Sequence, residues 1–177
     1  MACGNSVKKV RLGIMDSRPS SDAKADIKQL IAACMQNDSE PAIGQHIKAA
    51  HWELLSAYLQ PTLLSPGQVL ITKGANDRAV YFVEYGSLTV HLEDSAGKVR
   101  MAIIGPGSAV GEGSFFSHLP RKANVQATTG SQVWAMAPMR FSEMSNRQPA
   151  VALAVTMALG GLVASRAVDK RKRVSIT

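Results

Sequence analysis

The spacing of apolar side chains changes period three times along the chain, and each change marks a different kind of element. Residues 1–21 mix Gly, Ser, Lys and Arg without periodicity, and Arg18-Pro19-Ser20-Ser21 reads as linker. Ile27, Leu30, Ile31 and Met35 then recur three and four apart, which is the spacing of one helical face. Ser21 or Asp22 stands where that helix needs a cap. Asn37 to Pro41 breaks it. A second helix is predicted to carry Ile43, Ile47, Trp52, Leu54, Leu55 and Tyr58 and to end before Pro61, because a residue preceding proline is driven out of the helical region.

From Thr62 the pattern becomes short, strand-like runs. Strands are predicted at 69–71, 80–83, 88–92, 99–104, 123–128 and 132–137. Turn residues stand between them: Pro66-Gly67, Lys73-Gly74, Tyr85-Gly86-Ser87, Ser95-Ala96-Gly97 and Gly105-Pro106-Gly107. Strands this short and this evenly spaced predict a closed or rolled antiparallel sheet. After Pro138 the helical period returns, first in a short piece around Phe141 to Met144. Pro149 then suits the first position of a longer helix. In that helix Val151, Val155, Ala158, Leu162 and Ser165 alternate four and three apart like a heptad seam, which predicts pairing with a second copy through 149–168. Gly160-Gly161 would weaken an isolated helix by up to ~2 kcal/mol relative to alanines, yet small residues permit close helix approach.

Composition narrows the class. A chain of 177 residues suits one domain with extra helices, and its 46% apolar share can fill a core. The net charge of +7 raises nucleic-acid or membrane partners, but it gathers in Lys8, Lys9 and Arg11 and in Lys170-Arg171-Lys172-Arg173, where like charges read as solvated tails. Lys172 to Ile176 also resembles a basic-directed kinase site. Cys3 and Cys34 make no metal-ligand spacing with the four histidines, so a reduced, cytoplasmic setting is expected. The first twenty residues lack the apolar core of a secretory signal. Pro149 to Ser165 is uncharged, but its 17 residues are short for a span and rich in alanine; a buried interface helix is expected rather than a membrane anchor.

Candidate chemistry sits in Val110-Gly111-Glu112-Gly113-Ser114-Phe115-Phe116-Ser117-His118-Leu119-Pro120-Arg121-Lys122-Ala123-Asn124-Val125. Gly111 and Gly113 let backbone approach a ligand closely. A helical turn over Ser114 to Ser117 would aim free amides at an anion. Arg121 can grip a phosphate through two nitrogens, and Glu112 can accept from a hydroxyl. On residue types alone there are two readings: an anion pocket with a hydroxyl acceptor, or a surface loop in which Glu112 and Arg121 pair. His51 and Trp52 read as packing, and His91 and His118 are too isolated for a metal cluster.

The segment resembles the phosphate-binding cassette of the cyclic-nucleotide-binding domain family, to which the bacterial catabolite activator, the regulatory subunits of protein kinase A and cyclic-nucleotide-gated channels belong. The likeness rests on Gly111-Glu112 and Pro120-Arg121-Lys122-Ala123. It continues in Ser65-Pro66-Gly67, Lys73-Gly74, the Tyr81 to Val90 hairpin, Gly105-Pro106-Gly107, Phe141 and Pro149. It implies a mainly β fold with flanking helices: a jelly-roll-like antiparallel β-roll over 61–138 with its cassette at 110–125. N-terminal helices would fill 22–60, C-terminal helices 139–169 and a basic tail 170–177.

The resemblance also implies site roles. Glu112 would bind the ribose 2′-hydroxyl and Arg121 the cyclic phosphate. Gly111, Gly113 and Ser114 would lend amides, with Lys122 and Ala123 beside the phosphate. Met101, Ile103 and Val110 would floor the base, and Ser165 and Arg166 would approach it from a lid helix. Two residues depart from the pattern: Gly113 replaces a larger apolar residue, and Lys122 replaces the Ser, Thr or Ala beside the arginine. A loss of the hydroxyl that favours cyclic GMP in some relatives points to cyclic AMP, with cyclic GMP as the alternative ligand. The expected function is a non-enzymatic sensor without metal or cofactor, signalling to a protein partner. The alternative is a roll that serves only as a docking or dimer unit. A cupin-type enzyme would need clustered metal ligands. Only a few basic residues follow Val168, so no element is expected for reading DNA.

Overall fold

Two four-stranded antiparallel sheets make the predicted roll in the computed structural model, which describes residues 26–93 and 99–174. Helices α1 (Lys28–Gln36), α2 (Ala42–His46) and α3 (Ala49–Leu55) precede strands β1 (Gln60–Leu64), β2 (Val69–Ile71), β3 (Val80–Tyr85), β4 (Leu88–Glu93), β5 (Val99–Ile104) and β6 (Ala109–Val110). Helix α4 (Glu112–Ser117), strands β7 (Asn124–Ala127) and β8 (Ser131–Met136), and helices α5 (Pro138–Arg147) and α6 (Pro149–Val174) follow. One sheet runs β1-β8-β3-β6 and the other β2-β7-β4-β5.

Strand alternation divides the core in two. On β3, β6 and β8, the side chains of Val80, Phe82, Ala109, Trp134 and Met136 join the helices in one apolar cluster. Their neighbours Val83, Val110 and Val133 face the other way, into the roll, where Leu64, Ile71, Leu88, Ile104, Val125 and Ala127 meet them. The first sheet is therefore covered on both faces at β3, β6 and β8, and β3 reads as a nearly continuous apolar run. Glu84 points to the helical side, where the Trp134 indole N–H donates to its Oε2 at 2.5 Å.

Several expectations change. The second predicted helix is three pieces: α2, α3 and a 3-10 turn at Ser56–Tyr58. Ile47 and Lys48 between α2 and α3 take extended backbone, which lets Ile47 sink into the core at 1% exposure. Met35 and Leu54 stand exposed, off the buried stripe. Helix α1 starts at Lys28, whose N–H donates to the Asp26 carboxylate at 3.0 Å; Ser21 and Asp22 lie outside the described residues. Strand β1 was not predicted because it contains Pro61, which is tolerated there because β1 is the edge of its sheet. Helix α6 continues to Val174 rather than ending at 169. Ser95 to Gly97 is also outside the described residues.

The heptad seam of α6 has its partner within the chain. Val151, Val155, Ala158 and Leu162 are at most 1% exposed, packed in the helical core, while Ser165 is exposed. The predicted pairing of two copies through that seam is thus corrected: α6 packs on α2, α3 and α5 instead. Gly161 makes the approach possible, since a Cβ there would lie 3.1 Å from the Cβ of Ala42. Residues 149–168 are long and apolar enough to cross a membrane, but the apolar seam is already buried. Cys34 is likewise core, and burial pushes its thiol up to about 12.

Candidate functional site

The cassette is a strand, a left-handed glycine, one short helix and a return to strand. Val110 ends β6, and Gly111 turns the chain at φ 93°, in the region that glycine adopts without strain. Space demands glycine as well: a Cβ on Gly111 would stand 2.7 Å from Nη1 of Arg121 and 2.8 Å from the carbonyl oxygen of Ala79. After α4, His118 closes the turn at φ 59°, and its N–H donates to the Ser114 carbonyl at 3.3 Å. Arg78 Nη1 meets His118 Nδ1.

Arg121 is 3% exposed, and its guanidinium is fully framed. Nη1 donates to the Gly111 carbonyl at 3.1 Å and Nη2 to the Ala79 carbonyl at 2.6 Å. Nε reaches Oδ2 of Asp77 at 3.3 Å, and Nη2 also donates to Oδ1 of Asp77. Four of the five guanidinium N–H groups are therefore engaged. Backbone bonds staple the same place: Arg121 N–H to Ala75 O at 2.9 Å and Gly74 N–H to Arg121 O at 2.8 Å. Tyr81 lies beneath, its ring centroid 6.0 Å from the guanidinium carbon. Burial and the Asp77 charge push the Tyr81 hydroxyl above its ordinary range, against the pull of Arg121.

Glu112 and Arg121 do not pair with each other, which removes the surface-loop reading. Glu112 accepts from Nη1 of Arg166 at 2.8 Å. Arg166, on α6, is also held by Glu40, Ser108 and the Ala109 carbonyl. Burial alone would raise the Glu40 carboxyl, but hydrogen bonds from Arg166 and Ser108 and the Arg166 charge hold it below the ordinary carboxylate range. Burial would likewise lower Arg166, and bonds and charge from Glu40 and Glu112 raise it instead.

The structure gathers most of the predicted site but moves parts of it. Val110 and Ser114 are buried, Gly111, Glu112 and Ala123 half-buried, and Gly113 and Lys122 exposed. Met101 and Ile103 are corrected as floor residues, being 64% and 77% exposed. In the β4–β5 register Leu88 opposes Ile104 and Val90 opposes Ala102. Leu88, Val90 and Ile104 belong to the roll interior, so Met101 and Ile103, offset by one, point outward. The interior-facing positions of β5 are Ala102 and Ile104. Arg166, expected to approach a base from the lid helix, instead stands on the Glu112 carboxylate and is occupied by protein groups. Sequence reasoning missed Asp77, Ser108 and Glu40, which stand in connections among other polar or turn residues with nothing local to set them apart.

Gly113, the departure from the family pattern, faces open space: a Cβ there meets nothing within 4 Å. Since it lies inside α4, Gly113→Ala is expected to stabilise the protein by up to ~1 kcal/mol. Urea denaturation of the two proteins checks this; a loss of stability would mean that the position is packed.

Comparison with known proteins places this geometry. Residues 61–148 match the family described as "Cyclic nucleotide-binding domain". The chain is 33% identical over 64 residues to the cAMP-dependent protein kinase type II regulatory subunit of Drosophila melanogaster, covering 36% of this chain and 17% of that one. It is 31% identical over 83 residues to the cAMP-dependent protein kinase regulatory subunit of Eremothecium gossypii, covering 47% of this chain and again 17% of the relative. The match thus spans about a sixth of those relatives' length. The crystal structure of a cyclic nucleotide-binding domain from Methylobacillus flagellatus KT superposes with a TM-score of 0.72 at 17% identity, covering 84% of each chain.

Proposed function

Residues 61–148 belong to the cyclic nucleotide-binding domain family, and from that premise we propose that this chain is a non-enzymatic sensor of cyclic AMP. The observation that carries the reading is the buried Arg121, whose fork is aligned by Gly111 and Ala79 beside the first turn of α4. Its counter-ion, Asp77, is a half-exposed side chain, which a bound cyclic phosphate can displace at small cost because water receives it. Glu112 offers the hydroxyl acceptor, and the interior-facing apolar side chains of β4 and β5 offer a surface for the base. Lys122, exposed beside Arg121, adds positive charge where the anion arrives and lacks the hydroxyl that would help a guanine ligand.

The output runs through α6 to a protein partner in a cytoplasmic setting. Arg166 ties that helix to the ribose acceptor, so a ligand that engages Glu112 biases the position of α6. A second reading has its own support: both Arg121 and Glu112 already have protein partners, as expected of a roll that serves only for docking.

Calorimetric titration with cyclic AMP and cyclic GMP separates the two. The sensor is expected to bind one cyclic AMP per chain with micromolar or tighter affinity and cyclic GMP more weakly. No heat and no thermal stabilisation at millimolar concentration of either nucleotide would favour the docking roll.

A further inference from the structure

Arg166 gathers three elements around one guanidinium. Nε and Nη2 bind the two oxygens of Glu40 at 2.7 and 3.0 Å. Nη2 also reaches Ser108 Oγ and the Ala109 carbonyl, each at 3.0 Å. Nη1 donates to Oε1 of Glu112 at 2.8 Å. Ser108 in turn donates its hydroxyl to Glu40. Glu40 lies between α1 and α2 and Arg166 lies on α6, so both are outside the 61–148 segment that matches the family.

A two-oxygen grip from Glu40 fixes the plane of the guanidinium as well as its place. A guanidinium fixed in plane sets the direction of the carboxylate it holds. Glu112, half-buried in the first turn of a short helix, would otherwise turn among several rotamers. With Oε1 held, Oε2 is left as an oriented acceptor.

We propose that Glu40 and Arg166 are positioning residues for ribose recognition, holding Glu112 so that its second oxygen accepts the 2′-hydroxyl of a cyclic ribonucleotide. This rests on the reading that the chain binds cyclic nucleotides. It places part of the specificity machinery in the N-terminal helical segment, which contributes no residue to the cassette itself. Arg166 acts here by supporting the acceptor, not by competing for it.

The test is a titration of cyclic AMP and 2′-deoxy cyclic AMP into wild type, Glu40→Gln and Arg166→Met, with the melting temperature of each protein measured alongside. A hydrogen bond to a charged acceptor predicts that wild type prefers the ribonucleotide by about 10- to 100-fold. That preference should fall to within about threefold in Arg166→Met and by about threefold in Glu40→Gln, while 2′-deoxy affinity changes little, as expected when one oriented bond is lost. A purely structural role would weaken both ligands alike and leave the ratio unchanged, which overturns the proposal. Tighter binding of cyclic AMP by Arg166→Met also overturns it, since Arg166 would then be a competitor of the ribose. Glu40→Gln keeps the shape of the side chain, so it carries the test if Arg166→Met does not fold. Failure of wild type to bind either nucleotide would overturn the sensor reading and this proposal together; binding with an unaltered ratio overturns this proposal alone.

Discussion

Arg121→Ala is expected to weaken cyclic AMP binding by about 2–5 kcal/mol, the usual loss when one member of a buried, hydrogen-bonded charge pair is removed. By calorimetry, a micromolar ligand would then bind with a Kd of about 30 μM to a few millimolar. Stability should fall as well. The carbonyls of Ala79 and Gly111 lose their donor inside the cassette, and Asp77 loses its counter-ion. Breaking a fully buried pair costs about 3–5 kcal/mol, but the Asp77 side chain is 49% exposed, so about 2 kcal/mol is expected from urea denaturation. Arg121→Lys separates charge from geometry: it keeps the cation but cannot serve two carbonyls and a carboxylate together. An Arg121→Ala protein that bound cyclic AMP as wild type does would remove Arg121 from the site.

Gly111→Ala should be nearly as damaging, and for steric reasons alone. A left-handed conformation costs a non-glycine residue about 1–2 kcal/mol. At φ 93° the added Cβ would also press on Arg121 Nη1 and on a carbonyl of Ala79 that is fixed at the start of β3. Overpacking of that kind adds about 1–3 kcal/mol. The expected total is about 2–5 kcal/mol of stability by urea denaturation, together with weaker nucleotide binding because the displaced group is the Arg121 fork proposed to hold the phosphate. Gly113→Ala, two residues away and facing open space, is the internal control. Equal behaviour of the two alanine variants would contradict the geometry of the turn.

The candidate site was legible because its signals are local. Glycine at a left-handed turn, a carboxylate next to it and an arginine before the following strand all lie within one short stretch of sequence. Most strands were legible for the same reason, as apolar runs bounded by turn residues. What failed was information that depends on distant partners. Strand β5, Val99-Arg100-Met101-Ala102-Ile103-Ile104, carries apolar residues at both parities, so nothing local says whether Met101 or Ala102 faces inward. The seam on α6 announces that one face is buried, but a heptad pattern cannot distinguish a helix of the same chain from a helix of another. Ile47 leaves helical geometry because core burial outweighs the local preference of its neighbours. Glu40 and Arg166 stand 126 positions apart, and no periodicity joins them.

The sheet β1-β8-β3-β6, covered on both faces, has a thermodynamic consequence. Val133 and Trp134 are adjacent on β8 yet belong to different apolar clusters, and Val83 and Phe82 divide in the same way on β3. Melting the helices away would bare Phe82 and Trp134 to water, and opening the roll would bare Val83 and Val133, so neither cluster can be lost while the shared strands stay intact. Two clusters with a common wall therefore unfold as one cooperative unit. The cassette joins that wall through Val110 at the end of β6, so a nucleotide bound there, as proposed, would stabilise the helical half and the strand half alike.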